Sequence, residues 1–175
     1  LPKRRTGLEL LGEEKVLAQQ MGDSRLADFA AGRACAHLAQ KHLGLSAQPI
    51  LRDERAPVWP KGQCGSISHA KDWALAAVST SLRSIGVDVE AQGRVTQKLY
   101  RALFRPEEVN AFSCCSDAAP SLAFAAKEAS YKAIYPIGGA HVGFQEASVE
   151  LDWQSQSFRI RYHGNHKASK ALESG

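Results

Sequence analysis

The stretch from Leu122 to Ile134 carries the strongest helical pattern in the chain, and most of it is apolar. Phe124, Ala125, Ala129, Ala133 and Ile134 leave only a narrow polar strip, so such a helix has to pack inside a core. Its expected end lies before Pro136 and the Gly138-Gly139 turn, because proline cannot donate the amide that the next turn requires. The rest of the chain must therefore supply apolar faces to cover it.

Those faces come as short alternating runs. "SISHA" and "WALAAVST", joined around Lys71-Asp72, read as a hairpin, and "EASVELDW" with "SFRIRYHG" reads as an antiparallel pair around residues 154–156. From Asp23 to Leu43, Leu26, Phe29, Ala30, Cys35, Leu38 and Ala39 recur at helical steps, with Asp23 or Ser24 as the cap and Gly44 as the stop. Pro49 to Leu51 reads as a short strand, residues 53–65 as a loop, and Arg105-Pro106-Glu107-Glu108 as a helix opening. The order helix, strands, helices, strands is an α+β pattern, with similar content on either side of about residue 84. The predicted division is 1–83 and 84–175, two α/β halves making one compact unit.

Composition removes several function classes. At 175 residues, 44% hydrophobic and 23% charged, the chain is ordinary for a globular protein. No apolar run approaches the ~20 residues of a membrane span and the start does not resemble a signal peptide, so a cytoplasmic protein without a membrane partner is expected. Cys35, Cys64, Cys114 and Cys115 lack a C-x-x-C spacing, which leaves carboxylates as the metal ligands. The net charge of +4 favours a polyanionic partner: nucleic acid, phosphorylated cofactor or acidic protein. Basic residues are scattered apart from Lys3-Arg4-Arg5 and Lys167/Lys170, whereas a nucleic-acid binder usually shows a dense stripe with aromatics.

Three local patterns carry chemistry. In "SIGVDVE" (84–90) Ile85, Val87 and Val89 alternate with Gly86, Asp88 and Glu90, which predicts a strand with both acids on one face. Two such carboxylates repel unless a cation lies between them, and all-oxygen ligands suit magnesium, with manganese as the alternative. A solvated strand face is the plainer explanation of the pair alone. In "FAAKEASYKAI" Glu128 and Lys132 are one turn apart, with Lys127 about 100° around the helix; a surface ion pair would account for them equally well. In "GSISHA" the hydroxyls of Ser66 and Ser68, backbone amides and His69 are suited to a phosphate, although a hydrogen-bonded loop has the same composition.

Taken in order, "SISHA", "IGVDVE" and "FAAKEASYK" resemble the signature blocks of the 4′-phosphopantetheinyl transferases of the Sfp/EntD type. "APVWPKGQCGSISH" and "RLADFAAGRACA" resemble blocks of the branch associated with enterobactin synthase, so the likeness runs from residue 25 to residue 132. It implies a monomer of two similar α/β halves related by pseudo-twofold symmetry, with coenzyme A in the cleft between them. Carried over by residue, Asp88, Glu90 and Glu128 become magnesium ligands. Arg25, Arg33 and Arg55 contact coenzyme A phosphates, with Arg52 ranked after Arg55. Ser68 and His69 hold the adenosine-side phosphates, and Lys127 and Lys132 the pyrophosphate. Ala125 stands where the family usually has Ser, Thr or Cys, and Asp28 where it has Glu.

The reaction this implies is attack by a serine hydroxyl of an acidic acyl or peptidyl carrier protein on the β-phosphorus of coenzyme A. It releases adenosine 3′,5′-bisphosphate, with Glu128 as the catalytic base and Lys132 stabilising the departing oxygen. Two rival functions fit parts of the pattern. A magnesium-dependent nuclease would use the same acids and lysine, and a non-catalytic binding domain would use the basic surface. Neither accounts for the W-P-x-G loop or the arginine spacing of the first helix together with the acidic pair.

Overall fold

The computed structural model describes residues 8–53, 56–113, 115–139 and 142–164. Arg55, Cys114, Lys3-Arg4-Arg5, Lys167 and Lys170 lie outside the described residues. The chain divides into two compact units, Leu1–Val89 and Glu90–Gly175, each of mixed helix and strand content.

In unit 1 a short helix α1 (Glu14–Ala18) precedes the long helix α2 (Asp23–His42). A two-residue pair, β1 (Leu51–Arg52) with β2 (Pro57–Val58), follows, and then the hairpin β3 (Cys64–His69) and β4 (Ala74–Ser79). The hairpin has the predicted place, with Cys64 opposite Ser79 and His69 opposite Ala74. Helix α2 starts after Gly22, without a side-chain cap, and ends where Gly44 takes a φ of +76°. Its inner face is small: Ala31, Gly32, Cys35 and Ala36 are buried, which lets the helix lie close on the hairpin. Gly32 is required for this, since a Cβ there would stand 2.7 Å from Ile67 Cγ2. Gly65 has the same constraint on the other side, where a Cβ would meet the Ala77 carbonyl and the Trp59 ring at 2.5 Å each.

In unit 2, α3 (Gln97–Leu103) and α4 (Pro106–Phe112) lead into α5 (Ala119–Gly138), a 3₁₀ turn at Phe144–Glu146, and the antiparallel pair β5 (Ala147–Asp152) and β6 (Ser157–Tyr162). Ala123 and Ala126 of α5 pack with Val95, Phe104 and Val149 to form the core. Around it, Tyr100, Phe104 and Phe112 meet edge to face with ring centroids 4.9–5.7 Å apart. The amphipathic reading of this helix holds, but its end does not fall before Pro136. The helix continues to Gly138, where Gly139 adopts φ +60° and donates to the Tyr135 carbonyl. Proline in a last turn forfeits one hydrogen bond, and the left-handed glycine then closes the helix.

The segment 84–90 also differs from expectation: it has no regular strand structure, and the boundary between the units falls between Val89 and Glu90. The physical reason lies in its attachment. The Val89 amide donates to the Ser68 hydroxyl, a side chain, where a ladder would offer a carbonyl. Among the described residues, no helix is long and apolar enough to cross a membrane.

Candidate functional site

In unit 1, α2, β1 and β3 bring Arg25, Arg33, Arg52 and His69 to the wall of one pocket of about 410 Å³. Helical spacing sets the first two: Arg25 and Arg33 are eight residues apart, just over two turns, on one side of α2. Arg33 is 6% exposed, and its guanidinium lies 4.4 Å from the Phe29 ring centroid. Its Nε and Nη2 donate to the carbonyls of Ile50 (2.6 Å) and Leu51 (3.0 Å), which orients the side chain at the pocket wall. Burial pushes the Arg33 guanidinium down to about 10; Glu14 opposes the fall and the positive charge of Arg52 adds to it. It remains a cation at neutral pH, facing a second cation. Arg52, ranked after Arg55 on sequence, lines this pocket, while Arg55 lies outside the described residues.

The two neighbours Ser68 and His69, expected on one ligand, are separated by the alternation of β3. His69 lines the arginine pocket, its Nδ1 3.6 Å from Asp28 Oδ2. Ser68 is 4% exposed on the opposite face; its hydroxyl donates to Asp88 Oδ1 at 2.5 Å and accepts from the Val89 amide at 3.3 Å. Ser68 thus gives its one hydroxyl proton to an acid of the chain.

In unit 2, Glu128 and Lys132 stand one turn apart on α5, both half-buried. Glu128 is close enough to Tyr131 for its charge to help raise the phenol above its ordinary range, after burial as the main cause. Glu90 keeps an 11% exposed side chain whose Oε2 is buried and makes no hydrogen bond among the described residues; the Arg94 Nε is 3.7 Å away. Lys127 departs from expectation. Its side chain is fully buried, and Nζ donates to Glu108 Oε2 (2.8 Å) and to the carbonyls of Leu103 and Phe144 (2.9 Å each). A lysine ammonium has three donors, so none is left for a pyrophosphate. Burial lowers its pKa, and the bond and charge of Glu108 restore part of the loss.

The donor chemistry of Asp88 and Glu90 fits a hard divalent ion: both are oxygen donors, and Glu90 has an unsatisfied buried oxygen. Among the described residues, no three His, Cys, Asp or Glu side chains are grouped to hold a metal by themselves. Magnesium is commonly held by one or two carboxylates plus substrate phosphates. A larger pocket of about 1130 Å³ in unit 2, walled by Tyr100, Phe104 and Phe112, contains none of the site residues expected from the sequence.

Comparison with known proteins decides the family. Residues 13–79 match the family described as "4′-phosphopantetheinyl transferase N-terminal domain", and residues 84–174 match the "4′-phosphopantetheinyl transferase superfamily". This chain belongs to the 4′-phosphopantetheinyl transferase superfamily. It is 34% identical over 150 residues to the 4′-phosphopantetheinyl transferase Npt of Nocardia iowensis, covering 83% of this chain and 67% of that protein. It is 32% identical over 162 residues to the transferase PptT of Mycobacterium tuberculosis, covering 89% and 71%. Enterobactin synthase component D of Escherichia coli O157:H7 is 37% identical over 147 residues, covering 81% and 69%. The chain spans about two thirds of the length of these relatives. Within the transferase, two buried acids were not singled out by sequence reasoning: Glu14 and Glu108. A signal for both was present in the paired spellings Gly12-Glu13-Glu14 and Pro106-Glu107-Glu108, each placing a glutamate three residues after the amide it accepts.

Proposed function

We propose that this transferase moves the 4′-phosphopantetheine group of coenzyme A onto a serine hydroxyl of an apo acyl or peptidyl carrier protein, with magnesium, releasing adenosine 3′,5′-bisphosphate. The observation that carries the reading is the pocket of Arg25, Arg33, Arg52 and His69. Clustered guanidinium groups repel one another, and a bound polyanion turns that repulsion into binding. The adenosine-side phosphates of coenzyme A are such an anion, and Phe29 and Ile67 in the same wall are suited to the adenosine moiety.

Asp88, Glu90 and Glu128 are the proposed magnesium ligands. Magnesium, when bound, would offset charge on the pyrophosphate and on the leaving phosphate. Ser68 holds Asp88 by its Oδ1, so the orientation of that acid is set before substrate arrives. Glu128 takes the proton of the carrier serine hydroxyl, and Lys132, one turn along α5, donates to the departing oxygen. The carrier is proposed to be acidic and the transferase monomeric, a mild positive charge of +4 favouring encounter between them.

The test is a mass measurement. Incubated with coenzyme A, magnesium and an apo-carrier, the protein should add one phosphopantetheine to the carrier, and Glu128→Gln should abolish the gain while the fold persists. An unmodified carrier across a panel of acyl and peptidyl carriers would defeat the proposal.

A further inference from the structure

Two buried glutamates hold the two units in the same way, and neither belongs to the site described above. In unit 1 Glu14 is fully buried. Its Oε2 accepts the Leu11 amide at 2.8 Å, and its Oε1 accepts the Ile50 amide at 2.7 Å and a bond from His37 Nε2 at 3.0 Å. In unit 2 Glu108 is 3% exposed. Its Oε2 accepts the Arg105 amide and the Lys127 ammonium at 2.8 Å each, and its Oε1 accepts the Val149 amide at 2.9 Å.

The correspondence is close. Each glutamate lies in the first turn of a short helix, α1 or α4, and takes the amide three residues before it. Each then takes an amide from the strand region that follows the long helix, Ile50 just before β1 and Val149 as the third residue of β5, 36 and 41 residues away. Each also takes a basic side chain from its unit's twenty-residue helix, His37 of α2 or Lys127 of α5. Both oxygens of each carboxylate are occupied by donors. An ionised carboxylate can accept on both oxygens, whereas a glutamine amide would turn a donor toward one of those donors.

What these clamps hold is the site-bearing helix. Ile50 is fixed from both sides, its amide on Glu14 and its carbonyl on Arg33 Nε, so Glu14 settles where the Arg33 guanidinium comes to rest. Lys127 is fixed inward by Glu108, and Glu128 follows it by one residue, about 100° around α5. We infer that Glu14 and Glu108 are positioning residues with separate duties. Glu14 sets Arg33 for anion binding, and Glu108, through Lys127, sets the rotation of α5 that presents Glu128 and Lys132. The inference rests on the site reading given under the proposed function.

The experiment compares Glu14→Gln and Glu108→Gln with two direct-site variants, Arg52→Ala and Glu128→Gln, all in the full chain. Three quantities are read: the dissociation constant of coenzyme A by calorimetry without divalent ion, kcat for carrier modification with magnesium, and the melting temperature. Glu14→Gln should raise the dissociation constant about tenfold and leave kcat within about threefold; Glu108→Gln should do the reverse. If either variant does not fold, His37→Leu stands in for the first and the double variant Glu108→Leu/Lys127→Met for the second. Apolar replacement of a buried pair commonly restores stability, so the double variant should melt near wild type yet keep the kcat loss. Parallel losses in both parameters, or a double variant with wild-type kcat, overturn the inference. Unchanged binding in Arg52→Ala together with unchanged kcat in Glu128→Gln overturns the site reading beneath it. Losses in those two without the split in the glutamate variants overturn the positioning role alone.

Discussion

Lys127 Nζ lies 2.8 Å from Glu108 Oε2, with both side chains withdrawn from solvent, one residue before the acid proposed to act in transfer. A lysine in this setting holds α5 against α4, the end of α3 and the 3₁₀ turn, because its other two bonds go to the Leu103 and Phe144 carbonyls. Lys127→Met should therefore act on stability. It leaves Glu108 a buried carboxylate without its cation, a loss of about 3 kcal/mol, or a melting temperature lower by roughly 6–12 °C in a chain of this size. Differential scanning calorimetry checks it. A variant melting with wild type would return Lys127 to the phosphate role first expected of it.

Arg52 behaves oppositely, since it is an exposed residue of a two-residue strand. Arg52→Ala should leave the melting temperature within about 1–2 °C and weaken coenzyme A binding about tenfold, the usual scale for one charge-assisted contact to phosphate. Arg33→Ala should lose both binding and stability, because its guanidinium also holds the Ile50 and Leu51 carbonyls. Isothermal calorimetry and thermal melts of the two variants separate the roles; equal loss of stability in both would contradict the assignment.

Acid should expose the contribution of Glu14. Burial raises its pKa, but the bonds from His37, Ile50 and Leu11 outweigh burial and leave it below the ordinary 4.5. The folded state then binds the proton less tightly than the unfolded chain, so the stabilisation is whole above about pH 4.5 and fades as pH falls through the folded pKa. Urea midpoints of wild type and Glu14→Gln should differ at about pH 7 and converge as pH falls below the ordinary carboxylate range. A gap that is independent of pH would mean that the carboxylate charge is irrelevant to the clamp.

Much of this could be read from local pattern. The hairpin at Cys64–His69 and Ala74–Ser79, the strand pair around residues 154–156 and both twenty-residue helices follow from periodicity and turn residues, which act over short distances. What escaped was set by tertiary partners. The alternation of Ile85, Val87 and Val89 spells a strand, yet Val89 gives its amide to the Ser68 hydroxyl. Lys127 has the same spelling as a phosphate-binding lysine, and only the arrival of Glu108 from nineteen residues away shows that its charge is spent internally. Arg52 is the weaker arginine candidate in sequence, and its place in a pocket wall assembled from α2, β1 and β3 depends on tertiary structure.

Ser68 offers the sharpest division between the expected and observed roles. A serine that bound phosphate would, on removal of its hydroxyl, weaken coenzyme A binding with or without metal. Ser68 Oγ instead donates to Asp88 Oδ1 and accepts from the Val89 amide, so its loss frees the acid to turn and leaves a half-buried amide without that acceptor. Ser68→Ala should keep metal-free coenzyme A affinity within about twofold and raise the magnesium concentration for half-maximal transfer about tenfold, the scale on which residues behind a metal ligand usually act. Asp88→Ala should remove transfer altogether with the fold retained. Magnesium titrations of transfer and metal-free calorimetry decide between the roles: a Ser68→Ala variant that loses coenzyme A without metal binds phosphate through that hydroxyl, and one that loses only magnesium response holds Asp88 in place.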